Sequence, residues 1–171
     1  LSNDKYKIQV LSNSSSTDTS ALETEINNLK AELDAEKKKG ATITLSFSGS
    51  TALSCNSSNN NFEGLTQSPK TSDSDDIFTY SNGGVVINKT GYYSVSTYAF
   101  LNGTGWLNIG IAKNSSVFSM QSFYYTSNAG PGSNVSFIAK FQKGDVINQS
   151  YWCDNSYTIK YANLGVTYLH S

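Results

Sequence analysis

The chain has 171 residues, of which 37% are hydrophobic, 12% aromatic and only 15% charged, with a formal net charge of −1. That length suits one sizeable domain with an appendage, and so many aromatics with so little net charge argue against disorder. All twelve basic residues are lysines, so neither a basic stripe nor an arginine fork is on offer and no nucleic-acid partner is expected. No apolar run approaches the roughly 18 residues of a membrane helix, and no basic-then-apolar leader opens the chain, so no membrane insertion is expected.

Residues 1–19 read as a linker or the end of a preceding domain. A short alternating piece, Tyr6, Ile8 and Val10, is followed by a Ser/Asn/Thr run. Residues 20–40 read as a helical stalk: Ser20 and Glu23 have the spacing of a capping box. Lys37, Lys38 and Lys39 place positive charge on the last turn, and Gly40 ends it. Leu22, Ile26, Leu29 and Leu33 are spaced 4, 3, 4 and so occupy the d and a positions of a coiled coil. Glu25 and Glu32 fall at g, and Lys30 and Lys37 at the following e, where neighbouring parallel helices pair. The alternative is a helix lying on its own β domain, which would normally show a third apolar position per heptad. Fewer than three heptads cannot hold chains together alone, so the remainder of any assembly energy must come from the head.

From Ala41 onward the period changes to two. Ile43, Leu45 and Phe47 alternate with Thr42, Thr44 and Ser46. Further runs cover residues 77–80, 85–88, 92–100, 106–113, 133–141, 146–153, 157–161 and 164–170. Turn dipeptides such as Asn82-Gly83, Asn102-Gly103, Lys113-Asn114 and Gly144-Asp145 separate several of them. Many short strands at this spacing predict a β-sandwich, barrel or jelly roll over residues 41–171.

Three stretches sharpen that expectation. Gly91, Tyr93 and Val95 sit where the C1q/TNF-like jelly roll has its G-x-Y-x-F strand, with Val95 in place of Phe. Residues 107–114 are similar to that family's strand ending in a Lys-Asn turn, and residues 136–147 to its hairpin with a Gly-Asp turn. The head thus resembles a C1q/TNF-like domain, although a coiled coil replaces the collagen-like repeats common before C1q heads. In that respect the chain resembles bacteriophage fibre and baseplate proteins. The resemblance implies a homotrimer with one sheet facing the threefold axis. Tyr93, Val95, Thr97 and Ala99 would then face the sandwich core, and Tyr92, Tyr98 and Phe100 the partner chains, with Leu22, Ile26, Leu29 and Leu33 associating along the stalk.

Cys55 and Cys153 match no CxxC spacing. Two unlinked thiols are the expectation from compartment rules, with one bridge the alternative. Seven Asn-x-Ser/Thr triplets follow from an Asn/Ser-rich composition and are not read as glycosylation sites, since Asn148 falls inside a strand. The single histidine, His170, lies beside the C-terminus, so no catalytic residues are assigned and no enzyme is expected. Asp73, Asp75 and Asp76 are weak candidates for Ca²⁺, lacking the Gly and distal Glu of an EF-hand loop, and otherwise no cofactor is expected.

Aromatic rings carry the functional expectation. Trp106, Tyr124, Tyr125, Trp152, Tyr157 and Tyr161 fall in loops or where alternation points away from the core, where rings serve protein interfaces or stack on sugars. Tyr124, Tyr125 and Asn128, around the long connection 126–133, form one ligand-binding cluster. Asn155, Tyr157 and Tyr161 form another. The resulting expectation is a non-enzymatic virion-surface protein, a tail-fibre or baseplate head that binds a host cell-surface saccharide. The alternative is a structural baseplate, capsid-decoration or spore-surface trimer whose partners are other virion or particle proteins. A secreted ligand of a protein receptor is the third reading.

Overall fold

The computed structural model describes residues 19–55, 58–67, 76–126 and 133–171. The chain divides into two compact units, residues 1–37 and 38–171. The first contains all but the last residue of helix α1 (Thr19–Lys38), which begins one residue before the expected cap and buries none of its side chains. Ile26, Leu29 and Leu33 are exposed along it. The segment before Thr19, Asp73, Asp75 and Asn128 lie outside the described residues.

The second unit is a two-layer sandwich. Its strands are β1 (Thr42–Ala52), β2 (Asn60–Asn61), β3 (Thr66–Gln67), β4 (Phe78–Ser81), β5 (Gly84–Ile87) and β6 (Gly91–Gly103). Then come β7 (Gly105–Lys113), β8 (Ser116–Tyr125), β9 (Ser133–Phe141), β10 (Val146–Cys153) and β11 (Tyr157–His170). A five-stranded sheet runs β3-β1-β11-β6-β9, and a second runs β4-β5-β10-β7-β8, with β2 pairing onto β10. All the strand pairs are antiparallel. Neighbours in each sheet are mostly distant in sequence, the mark of a jelly roll rather than a meander.

Alternation explains why the layers meet as they do. Along β6 the residues at odd positions from Gly91 to Gly103 are buried and those between them are not. Tyr93, Val95, Thr97 and Ala99 thus face the core, as expected. Leu107, Ile109 and Ile111 of β7 meet them from the other sheet, with Ile147 of β10. Tyr93 anchors one end of this core. Its ring stands edge-on to Phe78, Phe141 and Tyr168 at 5.8, 6.1 and 5.3 Å, each such pair adding about 0.5–1.5 kcal/mol beyond burial. Its hydroxyl donates to the Lys89 carbonyl, and burial, followed by the nearby Tyr168, raises its pKa.

The two-residue strands β2 and β3 match no expected run, and two longer assignments also differ from the sequence expectation. β8 escaped notice because it is an edge strand, half-exposed on both faces, and Val117-Phe118 and Phe123-Tyr124-Tyr125 break any period of two. The two runs at 157–161 and 164–170 are one strand. Its pairing with β6 slips between Ile159 and Tyr161, and this bulge reverses the alternation and imitates a strand boundary.

The two turns behind the family resemblance are in contact. Asp145, buried, accepts hydrogen bonds from Lys113 Nζ at 2.8 Å, Asn114 Nδ2 at 2.9 Å and the Gln142 amide at 2.8 Å. Asn114 Oδ1 in turn accepts from the Val146 amide at 2.8 Å. Burial alone would raise the Asp145 carboxyl, but these donors and the Lys113 charge together hold it below its ordinary value. The Lys-Asn turn of the β7–β8 hairpin and the Gly-Asp turn are therefore clasped together, and the Gly-Asp turn proves not to close a hairpin as expected, because β9 and β10 lie in different sheets.

Cys55 and Cys153 form a disulfide, with their Cα atoms 4.9 Å apart, which corrects the expectation of two free thiols. Cys153 closes the inner face of β10, where it is buried. A second tie crosses the core: Gln149 of β10 donates to Thr97 Oγ1 at 2.7 Å and to the Tyr98 carbonyl at 3.1 Å on β6.

Candidate functional site

Aromatic rings are exposed on both outer faces of the sandwich. On the five-stranded sheet, Tyr92, Tyr98 and Phe100 project from β6 away from the core, as expected, and Tyr92 and Phe100 are exposed. Tyr161 joins them: its ring lies 5.9 Å from that of Tyr98, and it is paired across the strands with Phe100. At the other end of the same face, Tyr92 stacks on His170 at 4.9 Å and Lys140 Nζ lies 5.7 Å from its ring.

On the six-stranded sheet the rings converge at the end formed by the β6–β7 and β10–β11 turns. Inward-facing Leu107, Ile109 and Ile111 force their neighbours Trp106 and Asn108 outward. Trp106 sits opposite Tyr124 in register, with ring centroids 5.1 Å apart. These two side chains are 49% and 58% exposed, large values for rings on a sheet. One step along, Trp152, Asn108 and Ser122 make the next cross-strand row.

This end is held in place from beneath. The Trp106 amide donates to Asp154 Oδ1 at 2.8 Å, and the Asp154 amide returns to the Trp106 carbonyl at 3.2 Å. The Tyr157 hydroxyl donates to the Gly105 carbonyl at 2.6 Å. Gly105 adopts φ +103°, and a β-carbon there would lie 2.4 Å from Asp154 Oδ1. Only glycine allows the carboxylate to reach the Trp106 amide. Burial, then the charge of Asp154 and the neighbouring Tyr125 and Tyr124, push the Tyr157 hydroxyl up to about 12, so it remains a proton donor at neutral pH.

The expected ligand residues are thus redistributed. Tyr124 is exposed. Its neighbour Tyr125 points to the opposite face, half-buried, with its ring 6.4 Å from that of Tyr157 and its pKa raised by burial. Tyr157 is only 2% exposed: it supports the site from the core and offers no surface to a ligand. Asn155 is exposed but engaged within the chain, accepting from the Ser156 amide at 2.8 Å and donating across to Thr104 Oγ1 of the β6–β7 turn at 3.4 Å. Tyr161 belongs to the other sheet. Sequence reasoning did not single out Asp154 or Asn108, whose positions depend on pairing between distant strands. Asp76 is exposed, and among the described residues no three His, Cys, Asp or Glu side chains come close enough to hold a metal ion.

No protein-family model and no curated protein matches the sequence. Solved structures share its fold. PRD1 vertex protein P5 superposes with a TM-score of 0.58 at 18% identity, over 77% of this chain and 99% of that one. Murine APRIL gives 0.59 at 12% identity over 77% and 100%. The globular domain of the zebrafish complement 1qA protein gives 0.53 at 14% over 77% and 98%. The fold is the C1q/TNF-like jelly roll. Among the described residues, no helix of this C1q/TNF-like chain is long and apolar enough to cross a membrane.

Proposed function

We propose that the chain is a non-enzymatic, homotrimeric attachment head at a virion surface, carried on a tail or baseplate fibre and binding a host cell-wall saccharide. The observation that carries this reading is the placement of aromatic rings on both outer faces of the sandwich. A lone sandwich satisfies its apolar needs between its sheets, so exposed rings on two opposite faces point to two separate contacts. The Tyr92, Tyr98, Phe100 and Tyr161 face suits partner copies, because the resemblance sets one sheet of such heads against the threefold axis. Leu22, Ile26, Leu29 and Leu33 would add a short coiled coil. The Trp106–Tyr124 face is then left for a ligand. The fold shared with PRD1 vertex protein P5 supports a particle setting, and the disulfide suits an oxidising exterior.

That vertex-protein likeness equally favours a structural role among other virion proteins. Glycan-array binding by the full chain is expected under the attachment reading. Absence of sugar binding together with tight co-assembly with another particle protein would replace it with the structural one.

A further inference from the structure

We propose that the outer face of the six-stranded sheet, at the end where Asp154 meets Trp106, is a binding site for an uncharged pyranose sugar. This deepens the attachment reading and rests on it for its biological setting. The Trp106–Tyr124 pair offers two exposed rings with centroids 5.1 Å apart and planes tilted 54° to each other, aromatic surface of the kind that packs on the C–H face of a sugar ring.

Polar groups complete the site. Among the described residues, the side chains of Trp106, Tyr124, Asn108 and Ser122 make no hydrogen bond within the chain, so their N–H, hydroxyl and carboxamide groups are free for sugar hydroxyls. Asp154 uses Oδ1 on the Trp106 amide, which leaves Oδ2 to accept from a sugar hydroxyl in a charge-assisted bond. Half-buried Trp152 borders the patch beside Asn108.

Charge selects the ligand class. Of β7, β8 and β10, only β7 carries a Lys, Asp or Glu, namely Lys113 at its far end, where Asp145 holds it. Among the described residues of these strands and the turn after β10, Asp154 is therefore the charge beside the two rings. It repels carboxylate and phosphate groups and leaves neutral hydroxyls as its partners. The site is also preformed: Gly105, Asp154 and Tyr157 fix the backbone under Trp106, which reduces the ordering cost that weakens sugar binding. One site needs only millimolar affinity if several copies act together.

The test titrates the full chain with methyl β-D-galactopyranoside, methyl α-D-glucopyranoside and N-acetylglucosamine, and separately with glucuronic acid and N-acetylneuraminic acid. The readout is the Trp106 indole N–H signal, assigned by Trp106→Phe. At least one neutral sugar is expected to shift it with a dissociation constant in the millimolar range, and the acids to bind about tenfold or more weakly. Trp106→Ala and Tyr124→Ala, both at exposed positions, should each weaken binding by about tenfold with the fold retained by circular dichroism. Asp154→Asn should narrow the gap between neutral and acidic sugars. Sugar binding that survives both ring substitutions, or acids that bind as well as neutral sugars, would overturn this site and leave the attachment reading standing. No response from any neutral sugar up to about 100 mM, with no glycan-array signal, would overturn both.

Discussion

Tyr157→Ala is expected to destabilise the β unit by about 4 kcal/mol, the range for emptying a large aromatic site in a core. Tyr157 is almost fully buried against Tyr125, and its hydroxyl satisfies the Gly105 carbonyl. The alanine variant loses the ring and leaves that carbonyl without its partner. In thermal unfolding this amounts to a fall in Tm of roughly 10 °C for a domain of this size. Tyr157→Phe keeps the ring and removes only the hydrogen bond, so about 1 kcal/mol is expected. A Tyr157→Ala protein that melts with the parent would show that Tyr157 is a surface residue and that the support beneath Trp106 has been misread.

The second large effect is that of the disulfide. Cys55 and Cys153 are 98 residues apart, and a bridge closing so long a loop removes much of the freedom of the unfolded chain, a stabilisation of about 3–4 kcal/mol. Cys55→Ala with Cys153→Ala should therefore shift the urea midpoint strongly downward, and reduction of the parent should do the same. Because Cys153 is buried on the inner face of β10 beside Leu107 in the ladder, alanine also leaves a small cavity there. A change under about 1 kcal/mol would mean that the bridge contributes nothing to folding.

Much of this architecture was legible in the sequence, for reasons that can be named. β6 reads directly because its residues alternate without interruption between the core and the outer face. The Lys113-Asn114 and Gly144-Asp145 turns carried the resemblance to C1q/TNF-like heads, and the structure supplies their physical reason: Asp145 clasps one turn to the other. The candidate site was less legible. Tyr157 and Tyr161 are four residues apart, so unbroken alternation puts them on one face. The slip between Ile159 and Tyr161 instead sends Tyr157 into the core and Tyr161 to the outside of the five-stranded sheet. A bulge of one residue leaves no local signature that composition or periodicity could reveal.

Asp154 escaped, and the disulfide stood only as the alternative, for a related reason. Both depend on β7, β10 and the chain after β1 meeting in space, and no spacing along the sequence encodes that meeting. The turn residues were visible: Gly103-Thr104-Gly105 before Trp106, and Asp154-Asn155-Ser156 after Cys153. Only the ladder between β7 and β10, with Trp152 opposite Asn108 and Cys153 opposite Leu107, brings the two turns to the same end.

The central claim is that the β unit itself drives assembly through the outer face of its five-stranded sheet, with the helix adding little. Sedimentation equilibrium of residues 41–171, run beside the same fragment carrying Tyr98→Asp, tests it most directly. An aspartate placed among Phe100, Tyr161 and the partner copies would bury an unpaired charge. The account predicts a three-chain species for the first fragment and a folded monomer for the second. A monomeric parent fragment, or a Tyr98→Asp fragment that stays trimeric with unchanged stability, would contradict it.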